Sequence, residues 1–283
     1  MMPKTVCLTV CACLGAASAI YAPSDANAQE AILRANNQVW AGLGGHHLQY
    51  DERIDAARSD SESGTQFAGA LGGVAQGTVF GLSNIYAAGS LRFARGNTQY
   101  NGYLQDNRGR VVVPSYQMDT RSTTADLTLK VGRAFPLAAG RAQLTPYASY
   151  TYHDWIRDST RNPVGFYERY RHHVVSAGLM GQFEVTPGLV ANADVRAGTM
   201  VGANMTLSGS SNTFNLGNKP VYSAGLGLDY AVARNVHVNA SYEWTRFKYG
   251  RSDLTPVTPG ITAYEPDSRT TQQVWMVGLG YAF

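Results

Sequence analysis

Eight charged residues invite a chemical reading because of their neighbours: Arg92, Asp126, Lys130, Glu184, Asp194, Arg196, Asp229 and Glu243. Each interrupts a run in which every second residue is apolar or small, as in "SLRFA" around Arg92 and "QFEVT" around Glu184. In an extended strand that alternation puts the charges on one face and the apolar residues on the other. Both signs occur, so three chemistries are open. Ion pairs would lock strand register inside a filled interior, where a buried charge must find a partner or water. A continuous polar path would pass ions or small solutes. A convergent acid and base would hydrolyse a substrate.

The histidines bear on the third option. "YHDW" sets His153 beside Asp154, and neighbours in a strand point to opposite faces. His172 and His173 divide in the same way, so His153 or His172 could serve as a base only singly, from the charged face. The glycines of "GLGG", Gly42–Gly45, lie inside a strand pattern, which reads as close backbone packing or a bulge, not a phosphate loop. All three cysteines, Cys7, Cys11 and Cys13, fall in the first thirteen residues, leaving no thiolate site or disulfide framework in the rest. No cofactor is expected.

The elements that must position these residues are strands. Charged residues make up 15% of the 283, while glycine (30) and tyrosine (17) are abundant. That balance suits strands apolar on one side only. The net charge of +3 is too small for a nucleic-acid partner. Period-two alternation is clearest in "TADLTLKV", "LVANADVRAGTMVGANM", "VYSAGLGLDYAV" and "VHVNASYEW". In the second of these Leu189, Ala191, Ala193, Val195, Ala197, Val201, Ala203 and Met205 share one face.

Ten strands are expected, within a range of about eight to twelve. They run near 38–51, 64–77, 84–103, 119–134, 142–157, 167–185, 189–206, 219–232, 235–250 and 270–283. Connections after the even strands are short, and those after the odd strands are long and polar. The first 28 residues read as an export signal: Lys4, an apolar run, then "Ala26-Asn27-Ala28" as a cleavage motif. The domain would then span 29–283, and "QEAILRAN" at its start looks too short to plug anything.

The final strand carries the sharpest pattern. Trp275, Val277, Leu279, Tyr281 and Phe283 occupy one face, opposite small residues and methionine. Without a helix of membrane length, a spanning chain must close its sheet to satisfy every backbone group in lipid. This last strand resembles the assembly signal of bacterial outer-membrane β-barrels. The resemblance implies an all-β, transmembrane antiparallel barrel, inserted by the barrel-assembly machinery and surrounded by outer-membrane lipid and lipopolysaccharide.

On that reading, Arg95, Arg121, Arg157, Arg169, Arg171, Arg246 and Lys248 gather at the long-loop rim. There they would meet lipopolysaccharide phosphates. Tyr50, Tyr86, Tyr152, Tyr167, Tyr222, Tyr249 and Trp155 are candidates for interfacial girdles, with ordinary strand propensity as the competing reading. The expected role is structural or surface-interacting. The alternatives are a narrow channel and an omptin-like surface hydrolase. The omptin family implies an aspartate–histidine couple one residue apart, and an outer-membrane lipase a His-x-Ser strand motif; the sequence has neither.

Overall fold

The computed structural model describes residues 25–53, 59–106 and 110–283, with side chains from residue 29 onward. Most of the expected export signal therefore lies outside the described residues. One helix, α1 (Asp25–Ala35), precedes ten long strands. These are β1 (Gln38–Arg53), β2 (Ser59–Val79), β3 (Leu82–Gln105), β4 (Val111–Arg133), β5 (Ala142–Asp158), β6 (Tyr167–Thr186), β7 (Leu189–Leu207), β8 (Pro220–Ala231), β9 (Val236–Tyr249) and β10 (Asp267–Ala282).

Each strand pairs antiparallel with its sequence neighbours, and β10 pairs with β1 over Gln38↔Ala282 to Arg53↔Asp267. The sheet is thus a closed ten-stranded barrel, which leaves no long edge unpaired. Closure follows from the glycines of β1. A β-carbon on Gly44 would come within 1.8 Å of the Trp275 carbonyl oxygen, and one on Gly45 within 2.4 Å of the Trp275 ring. The seam accepts that indole only because β1 has no side chains there.

The alternation resolves into outside and inside. Leu43, Phe67, Leu71, Leu91, Phe93, Val131, Val175, Val195, Leu226, Val277, Leu279 and Tyr281 point outward and are exposed, forming an apolar belt. The terminal-strand set from Trp275 to Phe283 lies on this outer face. One strand departs from the expected parity. The register between β6 and β7 shifts between Arg171 and His173, opposite Gly202, whose φ is +63°. This bulge turns Ala203 and Met205 inward, where both are buried.

The strands also run longer than expected at the long-loop end. "VVVPSYQM" was expected as loop but belongs to β4, which with β3 forms a hairpin rising beyond its neighbours. Pro114 masks the alternation there, because proline weakens any strand reading. At the opposite end, α1 corrects the expectation for "QEAILRAN". Ile32 and Ala35 are buried against Val190, and Arg34 donates to the Arg234 carbonyl at 3.3 Å. The C-terminal part of α1 caps the short-turn mouth of the barrel.

Candidate functional site

Four layers fill the interior between the capped mouth and the long loops. The lowest is a cluster of amides. Asn36 Nδ2 donates to Gln76 Oε1 (2.8 Å) and Gln182 Oε1 (2.7 Å), and Gln143 Nε2 donates to both of the same acceptors (2.9 and 3.0 Å). Beside it Gln38 donates to Asp229 (2.8 Å) and to the Ala35 carbonyl, while His237 Nδ1 faces Asp229 at 2.5 Å. Glu184 sits at this level too, where it accepts the Gly188 N–H (3.3 Å) and so holds the β6–β7 turn. Of the expected interior charges, Asp229 and Glu184 are therefore separate from the main network.

The other six form that network at mid-barrel. Arg92 bridges Asp126 (2.9 Å) and Glu243 (3.0 Å), Arg196 reaches Glu243 (2.8 Å), and Lys130 pairs with Asp194 (3.0 Å), which also accepts from Tyr147 (2.6 Å). Three cations meet three carboxylates. Arg92 stands opposite Asp126 in the β3–β4 register, so the pairing follows directly from the sheet.

Sequence reasoning missed the partner of His153. Asp154 is on the outer face, where Arg169 donates to it, whereas His153 Nδ1 lies 2.6 Å from Asp126 Oδ1. Asp126 and His153 are register partners between β4 and β5, a relation that only the pairing reveals. His172 also points inward, its ring 4.6 Å from that of His153, and His173 points outward to the Tyr150 hydroxyl. His46, fully buried, has no hydrogen-bond partner on either ring nitrogen among the described residues.

Above the histidines Trp155, Tyr50, Tyr170, Tyr249 and Phe247 stack across the lumen, with Trp155 and Tyr170 centroids 4.9 Å apart. Tyr50, Tyr249 and Trp155 were candidates for a membrane girdle and instead form this core; Tyr86 is likewise internal. Tyr222 does face outward.

The top layer is acidic. Arg157, expected on the rim, shares the parity of His153 and Trp155 and points inward, buried. It pairs with Glu62 (2.8 Å) and Glu168 (2.6 Å), lies 3.6 Å from Glu52, and rests over the Tyr50 ring at 4.9 Å. Asp60 accepts from Tyr100 (3.0 Å), and Glu265 accepts from Tyr170 (2.6 Å) and Tyr50 (3.0 Å). These carboxylates lie beyond the apolar belt, on strand tops and a loop. Burial, then the neighbouring Glu52, pushes Asp60 up to about 8. The same causes hold Glu265 well above the usual carboxylate range.

The remaining rim cations do face outward. Arg95, Arg246 and Lys248 are exposed, and Arg121, Arg169 and Arg171 half-buried, all just past the belt toward the long loops. Arg121 stands opposite Asp158, and Lys248 stands directly opposite Arg269.

An exposed apolar belt around a closed barrel, with a polar, paired interior, is a membrane architecture. No family model matches the chain. Outer membrane protein PagN of Salmonella typhimurium is 36% identical over 83 residues, covering 29% of this chain and 32% of that relative. The outer membrane protease OmpT of Escherichia coli superposes with a TM-score of 0.53 at 14% identity, over 88% of this chain and 97% of that one. The chain is a bacterial outer-membrane β-barrel protein. Its aligned stretch spans about a third of PagN, and the likeness to OmpT is one of fold.

Proposed function

We propose that the barrel serves as a surface-interacting structural protein whose outer rim engages lipopolysaccharide phosphates. The observation that carries this reading is the opposition of Lys248 and Arg269 on the outward face, with Arg246 two residues along the same face. Like charges directly opposite each other destabilise a sheet. Asp51 flanks Arg269 from β1, yet none of the three cations makes an ion pair among the described residues. A bridging phosphate would neutralise them, and arginine binds phosphate through two parallel hydrogen bonds. Arg95, Arg121, Arg169 and Arg171 would extend the contact around the rim.

Export with cleavage after Ala28 fits this role and leaves Gln29–Ala35 to cap the mouth. Insertion by the barrel-assembly machinery would use the outward set on β10. The non-enzymatic reading is favoured by the burial of both aspartate–histidine couples, Asp126–His153 beneath Trp155 and Tyr170 and Asp229–His237 beside Gln38 at the capped mouth. The channel reading is disfavoured by the same stack and by the paired charges below it.

The test is retention of purified lipopolysaccharide by the refolded barrel. The triple variant Arg246→Ala, Lys248→Ala, Arg269→Ala should bind phosphorylated lipopolysaccharide at least about tenfold more weakly and lose the salt dependence of the wild type. Equal binding by the two proteins sinks the proposal. In planar bilayers the wild type should show no steady conductance.

A further inference from the structure

Between the amide cluster and the charged layer lies a cavity of about 320 Å³. Its origin is visible in the strands. On one wall the inward positions are glycines, Gly42, Gly225, Gly227 and Gly278, with Asp194 beside Gly225 in the register, while the facing wall carries Arg92 and Lys130. The void is therefore the space of missing side chains, and its size falls within the range of small-molecule sites.

Five polar groups line it without a partner. Trp40, Tyr86, Ser90, Asn192 and Ser241 make no side-chain hydrogen bond among the described residues. Asn192 occupies the room that Gly227 leaves: a β-carbon at Gly227 would come within 2.5 Å of Asn192 Nδ2. Asn239, also on the wall, has a buried and unpartnered Oδ1. The charges at the ceiling are already matched, Arg92, Lys130 and Arg196 against Asp126, Asp194 and Glu243.

The geometry points to a binding chamber for a neutral, hydroxyl-rich molecule the size of a monosaccharide, entered from the α1 end. A charged guest would break a balanced layer and leave a buried ion without its partner. A neutral polyol asks only for the amide and hydroxyl groups that stand free, with the Trp40 ring as an apolar face for its C–H side. Upward the aromatic stack closes the lumen. Downward, the path is blocked by α1 and its Asn36 hydrogen bonds to Gln76 and Gln182, each a neutral bond of modest net strength. The helix is thus the door.

The experiment is saturation-transfer NMR on the full mature barrel, refolded in detergent micelles, with methyl glucoside as the probe and maltotriose as an oversized control. Folding of each variant is checked first by the heat-dependent gel shift of closed barrels. Methyl glucoside should give a saturable signal at millimolar concentration and maltotriose none. Asn192→Leu and Trp40→Phe should each weaken binding at least about fivefold. Asn36→Ala should leave the affinity within about twofold and speed entry. A signal seen only in Asn36→Ala would also support the chamber, with the helix as a tighter door. No saturable signal in either the wild type or Asn36→Ala, or equal binding by Asn192→Leu and Trp40→Phe, overturns the inference and leaves the cavity to water.

Discussion

The mid-barrel layer and the acidic cap above the aromatic stack solve the same problem in opposite ways. At the middle, three cations and three carboxylates cancel. In the cap, the one guanidinium of Arg157 faces Glu52, Glu62 and Glu168, with Asp60 and Glu265 close by. Depth explains the difference. Opposite the lipid belt an unmatched charge has neither water nor counter-ion, so the sequence supplies its partner on a neighbouring strand. Above the belt solvent is near, and a surplus carboxylate can hold a proton, as Asp60 does when burial lifts it to about 8. A balanced layer is insensitive to pH, whereas a surplus one responds to it.

The most severe way to break this contrast is Arg157→Ala. It strands three buried carboxylates at once and should destabilise the barrel by about 3–5 kcal/mol, read from the urea midpoint of refolded protein. Next comes Asp194→Leu, which leaves Lys130 unpaired and should cost about 2–3 kcal/mol. The double variant Lys130→Met, Asp194→Leu should recover most of that loss, since a matched pair can be removed without leaving an orphan. If the double variant is no better than the single, the layer is not held by pairwise cancellation.

A pH series sharpens the comparison further. Asp60 keeps in the folded state a proton that the unfolded chain releases near pH 4. Its contribution is complete below that pH and is lost as pH rises through about 8. Glu265, raised by the same causes, latches the loop before β10 through Tyr50 and Tyr170. Protease cleavage within residues 250–266 should therefore increase from about pH 6 to 9, and Arg157→Ala, which removes the cation that holds these carboxylates down, should make the urea midpoint fall more steeply over that range. A flat cleavage profile would show that the cap holds no shared protons. The smallest effect belongs to the amide cluster: Gln76→Leu should cost about 1 kcal/mol and loosen α1 without touching either charged layer.

Much of this molecule was readable before any strand was paired. Alternation around Arg92, Asp126, Lys130, Asp194, Arg196 and Glu243 assigns all six to one face, because a two-residue period leaves a side chain only two directions. The same logic separates His172 from His173 and His153 from Asp154. It fails at Met205 and Ala203, where one glycine bulge reverses the count, and at Arg157, whose charge suggested water although its parity pointed inward. The aromatic residues show the limit most plainly. A tyrosine near a strand end suits a girdle or a core equally well, and Tyr50 and Tyr222 went different ways on parity alone.

The sequence by itself determined that the chain forms a closed, lipid-facing barrel of about eight to twelve strands, because backbone satisfaction in lipid and period-two patterning are legible along the chain, and strand pairing fixed the number at ten. Tertiary structure alone decided who meets whom inside. The couple Asp126–His153, the carboxylates around Arg157, the helix in the mouth and the glycine-walled chamber all depend on strand register and closure. Their side-chain hydrogen bonds join residues up to 215 positions apart in the chain, as Tyr50 and Glu265 are. A pattern read along one strand carries the direction of each side chain, and only the pairing of strands fixes its neighbours.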